Sequence, residues 1–597
     1  MSKDQIKLYI LLFQTIFVRY KFRMAVLAVL GFFNSVFDAI GIGLLIPLFS
    51  LVVKDDSMGI SRVNEWVNSF FDFFGISMNI TTVLVLMSLL FIGKAIAEFL
   101  LVYIRVRIGT SYENETRIGL YRKTLHAKWP YLLNQKIGYL ENVMMTDVHA
   151  TQGLFKQLSQ TLPNMVSFCV YIIAAIQVSL AVTLLTMGAG AVILISSQPL
   201  FHRSKRYVQR LIIISKIIAH RVNETVMGMK TIKVAGVADA VIKREKKIFD
   251  ELRGIIVRMQ LVNQMGSGVT QPLSYIFIAL VFAFSYKHTD FHLAGFIVVM
   301  YLIQRLFGSI RNMQNSMHSV SQLLEPARHI LDLDATLTAQ QEVSGGENRF
   351  SFTDTLEFRN VWFAYNADRP VLMDVSFRIR KNEMVGIIGP SGAGKTTVAD
   401  LLLRLFAPDR GHILIDGNSI GEMELRDYRK HVGYVSQDMF LMNDTIESNI
   451  KFFSQDIDDA RMVEAAGHAN IYDFIMGLEN GFKTIIGERG ILLSGGQRQR
   501  IILARALAHE ASLLILDEAT SALDNESEAL IQKSIEALKG DITVVVIAHR
   551  LSTIMRSDRL IALEQGKIIE EGTPEHLLSN PSSYFSKVYA MAQESGG

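Results

Sequence analysis

Six apolar runs occupy the first half of this chain, each close to or above the ~20 residues that a helix needs to cross hydrocarbon. They extend over Met24–Val53, Thr81–Ile104, Leu162–Val182, Thr183–Phe201, Gly266–Phe284 and Leu293–Ser309, with a very tight turn at 182/183. Helices of ordinary soluble cores are shorter, and six such runs in one half argue for membrane spans. With 50% hydrophobic and 20% charged residues, the chain is no disordered tail. A single cysteine, Cys169, excludes an internal disulfide. Lys plus Arg is 60 against 57 acids, a net of +3, so no charge excess points to nucleic acid.

The basic residues orient the spans. Arg19, Lys21 and Arg23 precede the first, and Arg105 to Lys128 follow the second. A third basic stretch, Arg203–Arg258, joins the fourth to the fifth. The connections at 54–80, 182/183 and 285–292 are poorer in Lys and Arg. The N-terminus, the two long basic connections and everything after the sixth span are therefore expected on the cytoplasmic side. Residues 9–18 are apolar but are followed by a basic cluster, which fits an interfacial elbow helix better than a cleaved signal. The long basic connections have a helical pattern and are expected to project beyond the bilayer. Trp129–Gly138 and Ala235–Asp239 are the turns expected to touch a soluble domain.

That domain follows a change of pattern. Residues 1–322 form the expected membrane domain. Residues 323–354 lose their apolar character, carry Gly345 and Gly346, and are expected to be a linker. From 355 to 597, short β-rich runs alternate with helices, the pattern of an α/β domain. The fold class is thus an α-helical six-span transmembrane domain fused to an α/β nucleotide-binding domain, as the next motifs specify.

The strand-like run Met384–Ile388 leads into Gly389-Pro-Ser-Gly-Ala-Gly-Lys-Thr-Thr397 and then a helical stretch, the context that a phosphate loop requires. Gly389, Gly392 and Gly394, with Ser391 and Ala393 between them, let backbone wrap phosphate. The amide groups and the helix N-terminus supply positive field. Lys395 is expected at the β- and γ-phosphates of ATP, Thr396 on Mg²⁺, and Thr397 beside them. A second strand, Leu513–Leu516, ends in Asp517-Glu518. Asp517 is expected to hold Mg²⁺ and Glu518 to act as general base on the attacking water, the plain alternative being a helix-capping acidic pair.

With these in view, Leu493-Ser494-Gly495-Gly496-Gln497 resembles the signature motif of ATP-binding cassette (ABC) transporters. The resemblance extends over the whole chain, in the order of an exporter half-transporter. It implies that Tyr365 stacks on adenine and that Gln437 senses Mg²⁺ and γ-phosphate. It implies that Gly487–Gly490 contacts the membrane domain, that Ser521–Asp524 is the D-loop, and that His549 is the switch histidine. It further implies a dimer. Ser494, Gly495, Gly496 and Gln497 of one copy would meet the ATP held by the phosphate loop of the other. Both halves of that site are intact, which favours a homodimer. ATP would shift the cassettes toward closure and drive alternating access.

Charged residues inside spans are costly and so mark function by default. Asp38 lies in the first span. Lys94 and Glu98 lie in the second, spaced as a mutual ion pair. Arg305 lies in the sixth, with Arg311 beyond it. Arg305 could bind an anionic head group or pair with Asp38 or Glu98. Residues 60–74 carry one apolar helical stripe, Val63, Trp66, Val67, Phe70, Phe71 and Phe74. This external helix and the run Ile40–Pro47 resemble bacterial flippases of lipid-linked oligosaccharides. The resemblance implies a polyprenyl-pyrophosphate-linked saccharide as the amphipathic substrate, ahead of lipid or lipid A, drug and peptide. It also implies the bacterial inner membrane, with the cassette in the cytoplasm. A gated channel or regulatory receptor is the alternative of another class, and the intact Glu518 argues against it.

Overall fold

The computed structural model describes all residues except 1–17, 19, 46–47, 49–68, 70–74, 76, 78, 136, 269, 287–292, 344, 367, 438, 510, 518–524, 548–550 and 596–597. The expected elbow at 9–18, apart from Val18, and the apolar stripe of 60–74 lie outside the described residues. The chain divides into two units. One comprises Met1–Ala127 and Leu133–Gln341, the other Lys128–Leu132 and Glu342–Gly597.

The first unit is helical. Its principal helices are α1 (Lys21–Gly43), α2 (Ile80–Leu125), α3 (Val148–Val178), α4 (Leu180–Met227), α5 (Ala238–Gly268), α6 (Thr270–Ser285) and α7 (Leu293–Ala339). Among the described residues, five stretches are long and apolar enough to cross a membrane, and the sixth expected span is the start of α7. α2 begins in a capping box in which Asn79 Oδ1 accepts from the Thr82 amide at 2.9 Å. Its 46 residues measure about 70 Å at 1.5 Å each, more than twice the ~30 Å of hydrocarbon. Apolar side chains such as Leu89, Ile96 and Phe99 remain exposed along it, a surface suited to lipid.

Two boundaries differ from expectation. The turn between the third and fourth spans falls at Ser179, not at 182/183. The extended backbone of Ser179 breaks the helix, and its hydroxyl accepts from the Val182 amide to start the next one. The expected linker is helix up to Ala339, because α7 continues past the membrane on an amphipathic face that buries Leu324, Ala327, Ile330, Leu333 and Leu337. Loss of apolar character there marks a helix leaving the lipid, not a helix ending.

The second unit contains two sheets. β1 (Thr355–Phe363), β2 (Leu372–Arg380), β4 (Arg410–Ile415) and β5 (Asn418–Ser419) form an antiparallel sheet in the order β2-β1-β4-β5. The other sheet has the order β10-β9-β3-β8-β7-β6. Its members are β3 (Met384–Ile388), β6 (Val432–Val435), β7 (Leu513–Asp517), β8 (Thr543–Ile547), β9 (Arg559–Glu564) and β10 (Lys567–Gly572), and β9 through β6 run parallel. Alternation along the strands divides the core in two. Met384, Leu514, Leu516, Val544 and Val546 face one cluster. Val385, Ile387, Leu513, Ile515 and Val545 face the other, together with α8 (Lys395–Leu402). A sheet buried on both faces explains why these strands are continuous apolar runs.

Candidate functional site

Parallel strands deliver their C-terminal ends to one edge, where α/β sheets bind ligands. β3 leads into Gly389, β6 runs into Ser436 and Gln437, and β7 ends at Asp517. β8 lies between β3 and β7. Three motifs far apart in the chain are thereby gathered by one sheet. Asp517 is buried at its strand end, with 4% exposure, while Thr396 and Gln437 are exposed. Glu518 and His549, which follow β7 and β8 in the sequence, lie outside the described residues.

Gly389 has φ +148°, and a Cβ there would lie 2.1 Å from the carbonyl oxygen of Leu563. The phosphate loop thus leaves β3 where only glycine fits. Gly392 and Gly394 also have positive φ, Ala393 is buried, and Ser391 is exposed. The Lys395 ammonium is buried and donates to the carbonyls of Gly389 and Pro390 at 2.9 and 3.0 Å. The cation is therefore seated in the loop that would hold phosphate. Oxygen donors at Thr396, Gln437 and Asp517 are of the type that Mg²⁺ takes.

Tyr365 stands beside α8. Its hydroxyl donates to Asp400 Oδ2 at 2.8 Å and lies 3.2 Å from Thr397 Oγ1. Phe363 and Phe406 meet its ring edge-on at 5.0 and 5.1 Å. Burial pushes this hydroxyl up to about 12, Thr397 pulling it down and Asp400 adding to the rise. The ring stays 44% exposed, open to a planar partner.

Beyond α9 (Leu425–Lys430) and three short α-helices, Ser494 caps α10 (Gly495–Ala508). Its amide donates to Gln497 Oε1 at 2.8 Å, and its Oγ accepts from the Gln497 amide at 3.2 Å. Gln497 therefore braces the turn that presents Ser494 and Gly495 at a helix N-terminus. Gly496 is buried against Ser527 at 2.1 Å from a virtual Cβ, so its role includes packing.

Three of the five membrane charges form one cluster. Asp38 of α1 is fully buried. Tyr171 of α3 and Tyr301 of α7 both donate to its Oδ2 at 2.8 Å. Arg305 Nη2 donates to Oδ1 at 3.0 Å and its Nε lies 2.9 Å from Oδ2, while Lys94 of α2 donates to Oδ1. Lys94 therefore pairs with Asp38, not with Glu98, which lies exposed a turn away. Arg305 takes Asp38 from the two acids weighed for it. Arg311 stands apart, donating to Gln271 Oε1 at 3.2 Å. Two cations share one carboxylate. Tyr171 and Tyr301 were missed from sequence; the i, i+4 spacing of Tyr301 and Arg305 was the available signal.

The family described as ABC transporter matches residues 372–521, and the ABC transporter transmembrane region matches residues 24–310. The ATP-dependent lipid A-core flippase of Cupriavidus metallidurans is 32% identical over 82% of this chain and 84% of its own. The chain belongs to the ABC transporter family. The flippase of the same description from Saccharophagus degradans is 46% identical over 43% of each chain. The heterocyst differentiation ATP-binding protein HepA of Nostoc sp. is 30% identical over 78% of this chain and 77% of its own. A solved bacterial Atm1-family ABC exporter with ATP bound superposes with a TM-score of 0.79 at 23% identity, covering 97% of this chain and 99% of that one, which shows the fold. This ABC transporter thus joins a helical transmembrane domain to a nucleotide-binding domain in one multi-pass membrane chain.

Proposed function

We propose that this transporter uses ATP to flip an amphipathic lipid with an anionic saccharide head across the bacterial inner membrane. The observation that carries the substrate class is the pairing of Lys94 and Arg305 against the single carboxylate of Asp38, a local positive excess at that cluster. A phosphate-bearing head group matches that excess. The name of the relatives, ATP-dependent lipid A-core flippase, favours lipid A-core among such heads. The lipid-linked oligosaccharide expected from the sequence shares the same chemistry.

The working unit is a homodimer. Each chain carries a phosphate loop and a signature, and Ser494, Gly495, Gly496 and Gln497 of one copy face the γ-phosphate of ATP on the other. Gly389, Ser391, Gly392, Ala393, Gly394, Lys395 and Thr397 hold the phosphates and Tyr365 the adenine. Thr396, Gln437 and Asp517 would hold Mg²⁺, which neutralises charge on the phosphate oxygens. Glu518 takes the proton of the attacking water, and His549 stabilises the charge that develops.

ATP turnover of the reconstituted chain, wild type beside Glu518→Gln, tests the reading. Turnover lost in the variant, and stimulated in the wild type by lipid A-core, is expected. Stimulation only by polyprenyl-pyrophosphate oligosaccharide would move the substrate to that lipid. Stimulation by neither would overturn the substrate class, and turnover surviving in Glu518→Gln would overturn the role of Glu518.

A further inference from the structure

The helix that leaves the phosphate loop has two ends. Its N-terminus starts at Lys395, and its C-terminal carbonyls are held by two consecutive residues of α9. Tyr428, fully buried, donates to the carbonyl of Leu402 at 2.6 Å. Arg429 donates from Nε to Leu403 at 3.3 Å and from Nη2 to Arg404 at 3.0 Å. A cation suits the negative end of a helix. The same guanidinium makes a two-pronged pair with Glu342, at 3.0 Å from Nη1 and 2.9 Å from Nη2. Only the planar fork of arginine can meet two carbonyls and a carboxylate at once.

Two connections give this contact its meaning. Glu342 follows directly on Gln341, just beyond the end of α7. Gln341 is itself tied to the end of α2, where its Nε2 donates to the Lys123 carbonyl at 2.8 Å and its backbone bridges Ala127. On the other side, α9 feeds β6, which runs straight into Gln437. Arg429 therefore stands where the chain from the last membrane helix, the phosphate-loop helix and the strand of Gln437 converge.

We propose that the Glu342–Arg429 pair is the strap through which ATP-driven motion of the nucleotide-binding domain pulls on the last membrane helix, with Arg429 a positioning residue for coupling. This rests on the ATP-driven reading above. Among the described residues, Glu342 touches none assigned to ATP, so its loss frees the strap and leaves the hydrolytic site intact. Arg429→Lys keeps the charge but loses the fork.

The test uses spin labels on the full chain in lipid nanodiscs, in a Cys169→Ser background. One label replaces the exposed Leu184 near the start of α4, another the exposed Ile569 of β10. Distances between the two copies are measured with and without ATP and vanadate. In Glu342→Gln, basal ATPase kcat and KM are expected within about twofold of wild type. The shift of the Ile569 label is expected to persist, and that of the Leu184 label to fall by at least half. Arg429→Lys is expected to do the same, and Glu342→Asp to restore most of the shift. A full Leu184 shift in Glu342→Gln would overturn the strap. So would loss of both shifts together with basal turnover, the sign of a merely structural contact. If ATP moves neither label in the wild type, it is the ATP-driven reading that falls, and the strap with it.

Discussion

Asp38 and Arg305, separated by 267 positions in the chain, meet with Arg305 Nε 2.9 Å from Asp38 Oδ2. Lys94, Tyr171 and Tyr301 close on the same carboxylate, so one acidic group ties α1, α2, α3 and α7 together. A carboxylate with four donors around it is held firmly, and the two cations depend on it.

Asp38→Asn leaves those cations facing each other. Removing one partner of a fully buried pair costs about 3–5 kcal/mol. Arg305 is 38% exposed and Lys94 21%, so the two cations are not fully buried and about 2–3 kcal/mol is expected. Thermal unfolding in nanodiscs should show a midpoint several degrees lower, with partial recovery when Lys94→Met is added. A variant that melts with the wild type would show that the cluster does not hold the helices.

Tyr365 separates stacking from hydrogen bonding. Tyr365→Ala removes a ring worth about 1–3 kcal/mol against a base, so the KM for ATP should rise roughly 5- to 150-fold. Tyr365→Phe keeps the ring and loses only the hydroxyl's contacts with Asp400 and Thr397, and less than a ~3-fold change is expected by the same argument. Equal losses in both variants would assign the residue to Asp400 and not to adenine.

Asp416 gives the nucleotide-binding domain an acid limit. Burial alone raises its carboxyl, but the backbone amides of Thr353, Thr355 and Asp354 and the Thr353 hydroxyl outweigh burial and hold it below 3.8. A depressed carboxyl stabilises the fold above its unfolded value, and this support is lost as pH falls from about 4 through the folded value. Asp416→Asn keeps a residue that tolerates the positive φ of 50° at this position but loses the charge. Its stability at pH 7 should fall by about 1–2 kcal/mol, and its stability should change less between pH 5 and pH 2. Denaturant unfolding followed at several pH values reads both, and identical pH slopes for the two chains would refute the assignment.

What the sequence could show was local. The phosphate loop is legible because strand, loop and helix are consecutive, and the Ser494 cap because its partner Gln497 is one turn away. The sheet that gathers Gly389, Gln437 and Asp517 was legible as a class, from apolar strands buried on both faces. The Asp38 cluster was only half legible. The charges were visible as exceptions among apolar residues, but the pairing of Lys94 with Asp38 depends on how α1 and α2 pack, and i, i+4 spacing pointed to Glu98 instead. Hydropathy also misplaced the end of α7, since it reports where lipid ends and not where hydrogen-bonded helix does. Arg429 carried no signal at all: its meaning comes from three contacts distant in the chain.

The unbroken course of α7 to Ala339 has a practical side for anyone recombining such transporters. A chimera joined at residue 323, where the composition changes, would splice two half-helices and demand matched heptad phase from both parents. A junction between Ala339 and Thr355 falls in non-helical chain, and the donor domain then needs to bring its own counterpart of Glu342 along with that of Arg429.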